Sequence, residues 1–178
     1  MLYLSDNRGF TLLEIIVVVT IIAIMSVIAL PKLTGFLGDE RKESSLLTAY
    51  IEAVTDDSFV HRKINYLCIH LAKPGTNNSE LFDDRFNDLN MVNVYNFDDS
   101  KFIQNKNRIL KDREFSSSFI LEEVIFDGGK VISQGNVLIP FYSDGSSEGF
   151  AIKISSGENK LYLKKNRINK SVQVDNEL

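Results

Sequence analysis

The stretch RGFTLLEIIVVVTIIAIMSVIALPK, Arg8–Lys32, makes the first division of this 178-residue chain. From Ile15 to Leu30 sixteen consecutive residues carry no charge. As an α-helix, Phe10–Leu30 would rise roughly 31 Å, about the hydrocarbon thickness of a bilayer. A core helix of a soluble domain shows a polar stripe, and this run shows none, so residues 10–31 are expected to form a transmembrane helix. A secretory signal peptide is the alternative, with Val27-Ile28-Ala29 as its small-residue cleavage site, and an ordinary signal anchor is another. Both leave Glu14 unexplained, because a carboxylate in lipid costs several kcal/mol near mid-bilayer and so points to a function. No basic residue lies between Arg8 and Lys32, which directs the search for its counter-charge to another molecule.

The residues Gly9-Phe10-Thr11-Leu12-Leu13-Glu14 resemble the processing site of type IV pilin-like proteins, a family that includes the pilins and the pseudopilins of type II secretion. Arg8 before the cut, the uncharged run and Pro31 at its far end fit the same pattern. The resemblance implies that prepilin peptidase cuts after Gly9 and methylates the new amine of Phe10. It also implies that Glu14 is an assembly residue, near the N-terminus of a neighbouring subunit, whose amine is the missing cation. It places the leader, 1–9, in the cytoplasm and the remainder across the inner membrane.

Pro31 removes a backbone donor and crowds the preceding turn, so the helix is expected to kink or thin there, with Gly35 and Gly38 weakening the same region. Beyond the mixed-charge Asp39–Ser45 an apolar stripe returns as Leu47, Tyr50, Ile51 and Val54, at helical spacing. Residues 32–60 therefore read as an amphipathic helix, packed on a globular domain or standing separately. The domain, 61–178, reads as mostly strands: Ile64–Leu71, Met91–Phe97, Phe119–Phe126, Val137–Tyr142, Phe150–Ser155 and Lys160–Lys164, with Val172 and Val174 in a last one. Residues 73–90 read as a polar loop, and 98–118 are ambiguous. Turn signals between the later strands suggest a half-exposed antiparallel β-meander. The expected fold class is α+β, with a long N-terminal helix on an antiparallel, mainly-β domain. The pilin-like resemblance implies the same arrangement.

The stretch Ile139–Ile154, IPFYSDGSSEGFAIKI, is similar to the late hairpin of the minor pseudopilin H family of type II secretion and of related minor pilins. It departs from that pattern at Ser143, where proline is usual, and at Phe150, where a second glycine is usual. Read from its residues alone, it is a tight hairpin in which Gly145 allows a positive φ and Asp144 bonds locally.

Composition adds bounds. The net charge of −4 gives no bias toward nucleic acid, and a single cysteine, Cys68, excludes an internal disulfide. Gly145–Gly149 spells G-x-S-x-G, but a nucleophile elbow needs a helix after the turn and a strand follows here. His61, His70 and Cys68 lack zinc-site spacing. Asp83, Asp84 and Asp88, or Asp98 and Asp99, lack the order of a calcium loop and read as solvated acids. Lys164, Lys165, Arg167 and Lys170 form a basic cluster that reads as strand-edge protection or a solvated face rather than a nucleic-acid site.

The resemblance implies a structural subunit, not an enzyme, with no cofactor and no metal: a minor pseudopilin of the type II secretion pseudopilus. Its implied partners are prepilin peptidase, other major and minor pseudopilins, the inner-membrane platform of the secretion system and inner-membrane lipid; nucleic acid is not among them. The alternatives are a minor pilin of a type IV pilus, serving adhesion, motility or DNA uptake, and a membrane-tethered periplasmic enzyme using loop acids such as Asp83 or Asp98.

Overall fold

A computed structural model of the chain describes residues 12–75, 88–157 and 159–175, and within 23–40 the backbone only. The chain divides into two compact units, Met1–Asp39 and Glu40–Leu178. One helix, α1 (Leu12–His61), contributes residues to both. Pro31 lies within the helix without ending it.

In the second unit, α1 presents Leu47, Tyr50, Ile51 and Val54 on one buried face, as their spacing predicts. Three hydroxyls share that burial and bond to carbonyls one turn back: Ser44 to Arg41, Thr55 to Ile51 and Ser58 to Val54. The helix ends in a left-handed residue, Arg62 (φ 49°), with the Lys63 amide donating to the Ser58 carbonyl at 3.2 Å. That is a Schellman-type stop made without glycine.

Ten strands are described: β1 (Asn65–His70), β2 (Met91–Asp98), β3 (Lys101–Gln104), β4 (Arg113–Glu114), β5 (Phe119–Phe126), β6 (Val131–Ile132), β7 (Asn136–Phe141), β8 (Phe150–Ser156), β9 (Asn159–Lys165) and β10 (Val172–Asp175). They form two antiparallel sheets, one in the order β3-β2-β1-β7 with β4 also on β2, the other β10-β9-β8-β5-β6. The ambiguous stretch 98–118 contains β3, a 3-10 turn (Arg108–Leu110) and β4.

One core joins helix and sheets. Leu67, Ile69, Val92, Val94, Val137 and Ile139 come from the first sheet, and Phe119, Leu121, Val124, Ile152, Ile154 and Leu163 from the second. The far side of the first sheet is also closed at its centre, where Cys68 and Tyr95 pack with Tyr66, Phe102 and Leu138. In β5 the register shifts between Leu121 and Glu123. This bulge absorbs the consecutive acids of FILEEVIF, so Leu121 and Val124 both stay inward while Glu122 and Glu123 reach Lys153, each at 3.3 Å.

Two expectations are corrected. Strands β5 to β9 are not one meander: β7 pairs with β1 in the first sheet, and β8 skips it to pair with β5. Ile139–Ile154 is accordingly not a hairpin. Its turn is tight, with Gly145 at φ 82° and the Gly145 amide bonded to the Tyr142 carbonyl, but only the bridge Phe141–Ser147 closes it before the chain crosses to the other sheet. Phe141 and Phe150, one from each sheet, meet edge to face at 6.3 Å. Burying both rings between the layers outweighs the local hairpin signal.

Candidate functional site

The start of α1 concentrates apolar surface. Leu12, Leu13, Ile15, Ile16, Val17, Val18, Val19, Ile21 and Ile22 are between 47% and 79% exposed. Five of them, Ile15–Val19, are consecutive, and at 100° per residue they point to every side of the helix. Thr20 does not supply a wet face, because its hydroxyl donates to the Ile16 carbonyl at 2.7 Å. Such a segment needs apolar surroundings on all sides, lipid or several other helices, since a single partner helix would cover only one stripe. Glu14 lies in the first turn, exposed, where the helix dipole favours an acid. Gly9 and Phe10 lie outside the described residues, as do Asp83, Asp84 and the Pro31 side chain. Among the described residues no helix is long and apolar enough to cross a membrane.

A polar cluster at the other end of α1 was not visible in the sequence. Asp57, 6% exposed, accepts from Asn65 and Asn107 at 2.8 Å each and from Lys63 at 3.0 Å, and His61 Nδ1 lies 3.0 Å from its carboxylate. Asn65 in turn accepts from Asn96 at 2.6 Å and Asn105 at 3.1 Å. Burial alone would raise the Asp57 carboxyl, but hydrogen bonds from Asn65, Lys63 and Asn107 outweigh it and hold the pKa below its ordinary value. The cluster ties the helix end to β1, β2 and the loop after β3. Its members are scattered over fifty residues, so no local motif marks them.

The remaining candidates come apart. Ser147 sits between two strands, buried, with its amide on the Arg167 carbonyl at 3.1 Å and its hydroxyl bonded to no base. Cys68 is fully buried, and burial pushes its thiol pKa up, as befits a small core residue. His70 is buried, its Nε2 at 3.0 Å from Asn93 Oδ1; burial pushes its pKa down, against smaller contributions from Asn93, Asp88 and Asp112. Asp98 closes β2, and the residues after it, Asp99 (φ 46°) and Ser100 (φ 65°), form the two-residue turn into β3. Among the described residues no three His, Cys, Asp or Glu side chains gather as a metal would require.

The basic cluster does not form one face. Lys165 points inward, 1% exposed, donating to the Asn166 carbonyl at 2.8 Å and lying 5.9 Å from the centre of the Phe141 ring. Lys164 pairs with Asp175 at 3.4 Å, and Lys170 with Asp56 at 3.0 Å while covering the Phe59 ring. The strand-edge reading fails for Lys164 and Lys165, because β9 is flanked by both β8 and β10.

Residues 4–30 match the family model of the prokaryotic N-terminal methylation motif, a span that contains Gly9, Phe10 and Glu14. The chain folds as a pilin-like protein, α+β, with a long N-terminal helix and an antiparallel sheet domain. Among solved structures it is similar to the minor pseudopilin EpsH from the type 2 secretion system of Vibrio cholerae, with a TM-score of 0.52 and 8% identity over 74% of this chain and 93% of that one. Comparison with curated proteins gives no match.

Proposed function

We propose that the chain is a minor pseudopilin, a structural subunit of a type II secretion pseudopilus. The observation that carries this reading is the apolar start of α1, exposed on every side and bearing Glu14, within a methylation motif on a chain of pilin-like fold. The precursor is cut after Gly9 by prepilin peptidase, methylated on Phe10, and held in the inner membrane by residues 10–31 with its sheet domain in the periplasm. Assembly moves the helix from lipid into a filament core of like helices, where burial of Leu12–Ile22 against neighbours replaces contact with lipid. Glu14 pairs with the amine of Phe10 on another subunit, which offsets the cost of desolvating both charges. Other major and minor pseudopilins and the inner-membrane platform are its partners, and the growing filament helps move folded cargo through the outer membrane.

Intact mass with and without a prepilin peptidase tests the processing step. Loss of Met1–Gly9 and gain of one methyl group, only when the peptidase is present, is the expected result. A cut after Ala29, or an uncut chain in both hosts, overturns it. Glu14→Ala tests the assembly step: normal processing with no recovery in sheared or cross-linked filaments is expected, and normal recovery removes Glu14 from assembly.

A further inference from the structure

We draw no further inference here: the strongest candidate, the groove between edge strand β7 and the β5–β6 turn, rimmed by Asp127, Lys130, Glu148 and Arg167, offers a strand edge that Pro140 and the Phe141–Ser147 bridge already blunt, and nothing in the structure shows what covers it.

Discussion

Leu12–Ile22 and Leu47–Val54 belong to one helix and both place leucine, isoleucine and valine on it, yet they solve opposite problems. The first carries apolar side chains on all sides and buries none of them within its own chain. The second buries Leu47, Tyr50, Ile51 and Val54 along one stripe, with Thr48, Ala49 and Glu52 left outside it. Composition separates the two stretches, with nine of eleven residues leucine, isoleucine or valine in the first and three of eight in the second, and periodicity says how each is used. A stripe can be satisfied by the protein's own sheets, but a full apolar circumference is satisfied only by an environment. The folding free energy of the domain and the assembly free energy of the helix should therefore be separately addressable by substitution.

The largest expected effect tests that separation directly. Ile51→Ala removes a fully buried side chain from the core and should cost about 2–5 kcal/mol in urea unfolding of the sheet domain. The equivalent change at Ile16, exposed and outside that core, should shift the same unfolding by less than about 0.5 kcal/mol. It should instead lower recovery in filaments. A comparable loss of domain stability from Ile16→Ala would show that the apolar start belongs to the folding unit, and the contrast would collapse.

Asp57 comes next. Asp57→Ala removes the acceptor shared by Asn65, Asn107 and Lys63, of which Asn65 keeps its bond to the Ser58 hydroxyl, and should cost about 1–3 kcal/mol. The sign of its pH dependence follows from the depressed carboxyl. Because the folded pKa lies below the unfolded one, the carboxylate stabilises the fold above the ordinary carboxylate value, near pH 4. That contribution fades as the pH falls through the folded pKa. Urea midpoints of wild type and Asp57→Asn should thus converge as the pH is lowered through this window. A gap independent of pH would mean that packing, not charge, is what Asp57 supplies.

Lys170→Ala should lie near the bottom of the scale, under about 1 kcal/mol, because the Lys170–Asp56 pair is solvent-exposed. Any loss should shrink in high salt. A loss that survives salt would assign the effect to the cover Lys170 gives the Phe59 ring rather than to its charge.

What the sequence revealed and what it hid divide along the same physical line. The helical stripe and β1, β2, β5, β7, β8 and β9 were all legible, because each writes its period or its turn signals into a few adjacent residues. Sheet membership was not. The turn Tyr142–Ser147 looks alike whether the chain doubles back or crosses over, and the difference lies in pairings distant in sequence, β7 on β1 and β8 on β5. The inward turn of Lys165 was equally hidden. It follows from the register Phe150–Lys165 and Val172–Lys165, which two neighbouring strands impose on a residue whose charge argues for the surface. At the candidate site Glu14 stood out because one acid in an apolar run is a local anomaly. The Asp57 cluster did not, because its parts meet only after β1, β2 and the loop after β3 are in place.

Gly145 gives a test that stays inside this local-versus-tertiary distinction. Its φ of 82° suits glycine, and a Cβ added there would meet nothing closer than Phe59 at 3.7 Å. Gly145→Ala therefore isolates backbone strain from steric clash and should cost about 1–2 kcal/mol. Asp144, which accepts from the Ser146 amide at 2.8 Å and its hydroxyl at 2.6 Å, holds the same turn from the side-chain direction. If the turn is fixed locally, the Gly145→Ala cost should persist in an Ile51→Ala background, since the residue next to both, Thr55, bonds to the Ile51 backbone carbonyl, which that substitution leaves in place. If the crossing of β7 to β8 is instead set by the core, weakening the core should relax the turn, and the two losses should be less than additive.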